Sequence, residues 1–268
     1  MKLQGCRTLL TGAGSGIGRC LAKELGKRGA RLVLVGRHGG NLAAVADEIN
    51  SAGGSAVAVI HDLAIAENHV RLTARTRELL GGIDLLINNA GVSSFGEYAL
   101  ETPEDISNLI NTNITAPLLL TRAVLPGLLD AGYGRIVNVG SILGSIGFPH
   151  FAAYSASKFA LRGFSEALRR ELAGSCIGVT YAAPRTTRTT INSDAVYKLS
   201  STNGAAVDEP AAVASAIIEA IVNDCNEIYI GWPEKLAVRL NALLPRLISL
   251  AIVKQAAAAR NLLRSSRH

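Results

Sequence analysis

Apolar positions along this chain follow two rhythms. Short runs, apolar throughout and rich in β-branched residues, occupy 7–11, 31–36, 56–61, 85–88, 135–139, 177–182 and 227–230. Between them, at 17–27, 41–51, 67–80, 115–131, 152–172 and 210–223, the apolar residues keep helical spacing. The first rhythm predicts strands buried on both faces, and the second predicts amphipathic helices that cover them. Their alternation across residues 1–232 predicts a single doubly wound α/β domain with a seven-stranded, mostly parallel sheet. Two stretches break the pattern. Residues 184–208 hold 11 Ser, Thr, Asn or Gly in 25 positions, too long for a plain connection and suited to a substrate loop. Residues 233–268 predict a basic, amphipathic helical extension.

The first strand runs into Thr11-Gly-Ala-Gly-Ser-Gly-Ile-Gly18 and then into the first helix. Gly12 permits the tight exit from the strand, Gly16 lets backbone approach a pyrophosphate, and Gly18 lets helix and sheet pack closely. The free N–H groups of the helix start favour an anion. A site for NAD places Asp or Glu about 20 residues further on, against the ribose 2′-hydroxyl. Here the second strand ends Val35-Gly36-Arg37-His38, and the next acid is Asp47. Arg37 can grip a 2′-phosphate with its planar fork, so the expectation is NADP(H) rather than NAD(H) on a Rossmann-type domain.

Four further motifs follow in order: Asn88-Asn89-Ala90-Gly91, Asn113 in NTNITA, Ser141 in RIVNVGS, and Tyr154-Ser-Ala-Ser-Lys158. With the glycine turn, they resemble the short-chain dehydrogenase/reductase family over residues 5–232. The resemblance implies that Asn113, Ser141, Tyr154 and Lys158 are the catalytic four, with Asn113 linking Lys158 to solvent through water. It implies that Asp62 contacts the adenine and that Asn89 supports the cofactor. Further cofactor contacts would come from Ser15, Ile17, Leu63, Ala90, Gly91, Tyr154, Lys158 and Pro184. The family's common subunit interface, on the helices holding Asn113 and Tyr154, implies a homodimer or homotetramer.

The residue types make chemical sense by themselves. Hydride delivery to a carbonyl carbon leaves charge on oxygen, so a site needs a proton donor and a group that holds the oxygen. Tyr154 is a candidate acid whose ordinary pKa near 10 is high for the task. Lys158, one helical turn later and on the same face, is expected to lower it. Read alone, Ser141 is equally a strand-end turn residue and Asn113 a helix N-cap. His61, His69 and His150 show no ligand spacing.

One departure stands out. The family usually has Pro-Gly after the sixth strand and then a Thr near the nicotinamide amide; this chain reads Pro184-Arg185-Thr186-Thr187-Arg188-Thr189. Thr187 and Thr189 are both candidates for that contact. Arg185 would either recruit an acidic substrate or pack across the loop.

Composition narrows the function further. With 268 residues, 49% hydrophobic and 18% charged, the chain can bury a full core without metal or disulfide. Its four cysteines lie far apart, as expected of reduced thiols, and structural zinc is not expected. The net charge of +6 does not signal nucleic acid. Seven of the 27 Lys/Arg, and no Asp/Glu, fall in residues 235–268, which leaves a neutral body. On one continuous helix, six of those seven would share an arc of about 80°, beside a leucine face, although Pro245 should divide it. Such a tail can lie on an anionic membrane, cap an apolar pocket or join a subunit interface. The glycine turn begins too early for a signal peptide, so the expected location is the cytoplasm, or peripherally the inner membrane face. The expected activity is NADP(H)-dependent carbonyl reduction, or secondary alcohol oxidation, of a lipophilic substrate. The alternatives are a dinucleotide-binding sensor or scaffold without turnover, an NAD-dependent dehydrogenase, and a peripheral membrane module.

Overall fold

The computed structural model describes residues 1–65 and 69–253. Strands β1 (Arg7–Thr11), β2 (Arg31–Gly36), β3 (Ser55–Ile60), β4 (Leu85–Asn88), β5 (Gly134–Val139), β6 (Ile177–Pro184) and β7 (Glu227–Ile230) form one sheet. Its order is β3-β2-β1-β4-β5-β6-β7, and every neighbouring pair is parallel. This is the expected Rossmann-type architecture, parallel throughout. Strand order reverses between β1 and β4, which opens the crevice at the carboxyl ends where ligands bind such sheets.

Two apolar layers explain the continuous strand runs. On one face Leu21 and Leu25 of α1 (Gly16–Lys27), Leu42 of α2 (Gly39–Ser51) and Ile217 and Ile221 join Leu10, Leu32 and Leu34. On the other, Leu72 of α3 (His69–Leu80), Leu120 and Val124, and Leu168 join Leu9, Val33 and Leu86. The predicted helix from Glu67 is described from His69 onward, and Glu67 lies outside the described residues.

Three elements differ from the pattern-based expectation. A helix, α4 (Pro103–Ile110), precedes α5 (Ala116–Ala131), and a π-helical turn at Asn111–Thr115 joins them. Asn113 therefore sits inside a long helix and does not cap one. Thr102 caps α4 by accepting from Asp105 N, Pro103 opens it and Glu104 and Asp105 fill its first turn. Those start signals are legible, but only Leu109 of its eight residues is buried, so the apolar rhythm is faint. The stretch 103–131 is apolar enough to span a membrane, yet Leu120, Val124 and Leu128 of α5 are fully buried in the core.

The second difference follows α6 (Ala152–Glu171). The segment 184–208 is not wholly loop, since α7 (Asp194–Thr202) lies within it and buries Val196 and Leu199 against Phe151. After α8 (Pro210–Val222) and β7, the extension begins as α9 (Glu234–Leu243), which breaks at Leu244. Residues 245–253 are helical again, so the break falls where Pro245 predicts it. Arg260, Arg264 and Arg267 of the predicted basic stripe lie outside the described residues.

Candidate active site

The phosphate turn is made by close backbone packing. Gly12 has φ +65°, and a Cβ there would lie 2.8 Å from Ala90 Cα. A Cβ on Gly18 would collide with the Gly12 carbonyl oxygen, and one on Gly16 would lie 2.8 Å from Thr189 Cγ2. Asn89 ties the turn to β4: its Nδ2 donates to Thr11 O at 3.0 Å and to Gly12 O at 3.2 Å. Thr11 Oγ1 accepts from the backbone N–H groups of Asn89 and Ala90, both at 3.0 Å. Asn89 thus fixes the backbone of the turn from behind.

That backbone walls a groove of about 220 Å³. Ser15, Gly16, Ile17 and Gly18 line it where α1 begins; α1 has no side-chain cap and no acid in its first turn. Its free N–H groups and dipole present a positive end to the groove. Arg37 lines the groove after β2, exposed and without an ion-pair partner among the described residues. Asp62 and Leu63 line it after β3, and Asp62 Oδ1 also accepts from Ala64 N at 2.9 Å. Asn89, Ala90 and Gly91 close the inner wall. Glycines that tolerate no Cβ and a bare helix start fit the pyrophosphate of a dinucleotide cofactor.

His61 also lines the groove, which sequence reasoning missed. Its Nε2 lies 3.3 Å from Nδ1 of buried His69, and burial pushes both imidazoles below their ordinary pKa.

The groove opens into a second cavity of about 760 Å³, with Ile17, Asn89, Gly91 and Thr189 on both walls. Ser141, Tyr154 and Lys158 meet at its inner end, beside Pro184 and Thr187. Tyr154 is held by α6 with Lys158 one turn later, while Ser141 follows β5. Tyr154 and Ser141 line the cavity together, so the phenol faces the cavity and not the far side of its helix. Ser141 Oγ also accepts from Leu143 N at 3.1 Å. Lys158 is buried, its Nζ lying 5.7 Å from the Tyr154 ring centre and donating to Val139 O at 3.1 Å.

The titration behaviour differs from expectation. Burial pushes Tyr154 up to about 12, against the lowering effect of Ser141, and pushes Lys158 down to about 8. Desolvation of both groups outweighs the predicted lowering of the phenol by the ammonium.

Asn113 lines neither cavity. Its side chain clamps the strand exit after Gly91: Oδ1 accepts from Val92 N and Nδ2 donates to Val92 O, both at 2.9 Å. Nδ2 also donates to Ser157 Oγ at 3.0 Å, joining the π turn to α6. Asn113 is a positioning residue, and the π turn lets its side chain reach both neighbours.

Two structural roles carried no sequence motif. Tyr181 of β6 lies under the loop that carries Ser141: its hydroxyl donates to Ser141 O at 3.2 Å and accepts from Ser141 N at 3.4 Å. Gly140 and Gly144 leave room for its ring, since a Cβ at either would strike the Tyr181 side chain. Arg185 settles the departure after Pro184. Its guanidinium grips Asp208 through Nε at 3.0 Å and Nη2 at 2.7 Å, and Nη1 reaches Glu234 at 3.1 Å and Trp232 O at 3.2 Å. It packs across the loop and ties both ends of 184–208 to α9, so it is not a receptor for an acidic substrate. Thr187 donates to Arg185 O at 3.0 Å, whereas Thr189 sits over Gly16 and borders both cavities.

The remaining cavity wall is apolar. Phe148, Phe151, Val196 and Leu199 form one side, and Leu240 of α9 with Ile252 beyond it form the other. The extension therefore caps the pocket, one of the roles its leucines predicted.

Comparison with known proteins agrees with this geometry. The family model described as short chain dehydrogenase matches residues 7–199. The ketoacyl reductase HetN of Nostoc sp. is 34% identical over 230 residues, covering 85% of this chain and 79% of its own. The 3-oxoacyl-[acyl-carrier-protein] reductase FabG of Vibrio harveyi is 31% identical, covering 81% of this chain and 90% of its own. Among solved structures, a short chain dehydrogenase/reductase from Burkholderia phymatum in complex with NAD superposes with a TM-score of 0.84 at 26% identity, over 92% of this chain and 96% of that one. A short chain dehydrogenase from Burkholderia cenocepacia in complex with NADP gives 0.79 at 29%, over 88% and 100%. With the family model matched over residues 7–199 and with relatives covered along most of their length, the chain belongs to the short-chain dehydrogenase/reductase family of oxidoreductases.

Proposed function

We propose that this protein reduces the carbonyl group of a lipophilic substrate with NADPH. The observation that carries the reading is the Tyr154 phenol, placed with Ser141 and Lys158 where the dinucleotide groove meets an apolar cavity. When bound, the reduced nicotinamide supplies a hydride. Gly12, Gly16 and Gly18 with the start of α1 would hold its pyrophosphate, Arg37 its 2′-phosphate, and Thr189 the nicotinamide end. Ser141 holds the carbonyl oxygen and Tyr154 gives it a proton as charge develops there. A phenol near pKa 12 is fully protonated at neutral pH, the form a donor needs, and an alkoxide is basic enough to take its proton. Lys158 backs the phenol from α6, and Asn113 fixes the strand exit beside both.

The apolar wall supports a lipophilic substrate, as do the relatives named for ketoacyl reduction. Leu129 of α5 and Phe159 of α6 are exposed, which supports a homo-oligomer through those helices. The test is NADPH oxidation over ketones graded by chain length. Tyr154→Phe should keep NADPH affinity and lose roughly 10²–10⁴-fold in kcat. Arg37→Asp should move the preference toward NADH by about tenfold or more, because a carboxylate repels the 2′-phosphate. Undiminished turnover in the first variant removes Tyr154 as the acid; an unchanged cofactor ratio in the second removes Arg37 as the phosphate grip.

A further inference from the structure

The described part of the C-terminal extension has two unlike sides. The inner side is committed to the body: Val238 is buried, Asn241 Nδ2 donates to Ser145 O at 3.1 Å, and Ile248 and Ile252 pack on the same cluster. The outer side is apolar and cationic. Leu243 is 77% exposed, Leu250 64% and Leu247 60%, with Leu236, Leu240 and Leu244 also exposed. At 100° per residue Lys235, Arg239 and Leu243 fall within about 80° on α9, and Arg246 and Leu250 within about 40° beyond it. The three cations have no ion-pair partner among the described residues, and the last acid of the chain, Glu234, is bonded to Arg185.

The chemistry of this face selects its occupant. A second copy across a two-fold axis would bring these cations up against their own counterparts, and Glu234, the one acid of the described extension, is already taken by Arg185. A bilayer with anionic headgroups meets both demands at once, since leucines enter the acyl boundary while Lys and Arg stay among the phosphates. The mouth of the substrate cavity lies on the same side: Trp232, Leu236 and Leu240 line it and are themselves exposed. Trp at such a rim suits the headgroup level.

We propose that this face docks the protein on an anionic phospholipid membrane, with the cavity mouth opening toward the lipid so that a lipophilic carbonyl compound enters from the bilayer. Docking stands independently of the reaction, and the entry route rests on the proposed carbonyl reduction.

The test is flotation of the full chain with vesicles of phosphatidylcholine alone or mixed with phosphatidylglycerol. Binding to the mixed vesicles should exceed binding to the neutral ones by roughly tenfold and weaken with added salt. Leu243 and Leu247 do not line the cavity, so a Leu243→Glu/Leu247→Glu variant should lose roughly tenfold in vesicle binding. The same variant should reduce a short water-soluble ketone as the parent does, and turn over a long-chain ketone presented in mixed vesicles several-fold more slowly. Equal binding of the parent to both vesicles, binding to neither, or parent-like binding by the variant overturns the proposal. So does a concentration-dependent dimer that the variant dissolves, because a second copy then covers the face. Failure of the parent to reduce the soluble ketone sinks the reaction and leaves the flotation result to decide docking.

Discussion

The two cavities that meet at Tyr154 are built by opposite means. The dinucleotide groove is mostly backbone: three glycines pack without room for a Cβ, helix N–H groups lie bare, and an asparagine holds the turn from behind. The substrate cavity is mostly side chain, with walls from β5, α6, the 184–208 segment and the extension, the last two tied to each other by one guanidinium. A backbone site tolerates almost no change in shape, because a displaced carbonyl cannot be repacked by a rotamer. A side-chain site can be remodelled residue by residue, which suits a family sharing one cofactor chemistry across many substrates.

The largest effect should come from disturbing the backbone site. Gly18→Ala places a methyl against the Gly12 carbonyl oxygen and 2.6 Å from Asn89 Nδ2, so α1 must move off the turn. Overpacking of this kind costs about 3 kcal/mol, which predicts a NADPH Kd weaker by about a hundredfold in titration calorimetry. Gly163 of α6 is the matched control, since a Cβ there meets nothing within 4 Å. Gly163→Ala should leave Kd unchanged and raise stability by roughly 0.5–1 kcal/mol through helix propensity. If both variants bind NADPH equally well, the backbone fit of the groove is not what holds the ligand.

The contrast also explains what was legible in the sequence. The glycine turn, Asn89 and the Tyr154–Lys158 spacing act through neighbours one turn or one strand end away, so a short string contains the whole geometry. The cavity wall offers no such string, because Phe151, Val196, Leu240 and Ile252 come from separate segments and each reads as an ordinary apolar residue. α7 was hidden by its Ser and Thr content, and α4 by its single buried residue, despite a capped start. In sequence Tyr181 is an ordinary strand residue, because the Ser141 backbone that bonds its hydroxyl on both sides comes from 40 residues away. Lys158 was legible as a partner of Tyr154, but its depressed pKa depends on burial, which spacing does not encode.

A middle-sized effect tests the substrate side. Arg185 is about 15% exposed and its carboxylate partners are 18% and 22% exposed, so removing it leaves two acids partly buried and unpaired. Arg185→Ala should cost roughly 2–3 kcal/mol in denaturant unfolding. It should also raise KM for a long-chain ketone several-fold while kcat stays within about twofold, because the wall loosens and the reacting groups do not. Arg185→Lys keeps the charge and loses the fork, so it should recover only part of either change. A fall in kcat at constant KM would instead tie Arg185 to the chemical step.

The smallest effect lies where the two regions join. Lys158 is only 4% exposed, and burial lowers its pKa from 10.5 to about 8. Below pH 8 the ammonium is charged in both folded and unfolded chains, and the fold carries the full desolvation cost, roughly 3 kcal/mol. Between pH 8 and 10.5 the unfolded chain holds a proton that the folded chain has released, so stability rises with pH and the cost fades. Lys158→Met removes this burden but strips the Val139 carbonyl of its donor, a loss of about 1 kcal/mol. The variant should therefore be more stable than the parent by roughly 1–2 kcal/mol at pH 7, and its advantage should vanish as pH approaches 10.5. Tyr154, raised to about 12, acts in the opposite sense above pH 10, but it is present in both proteins and drops out of the difference. Turnover should be lost together with the gain in stability. A stability difference that stays flat from pH 7 to 10.5 would mean that Lys158 is not a burdened charge, and that α6 meets the cavity without desolvating its own cation.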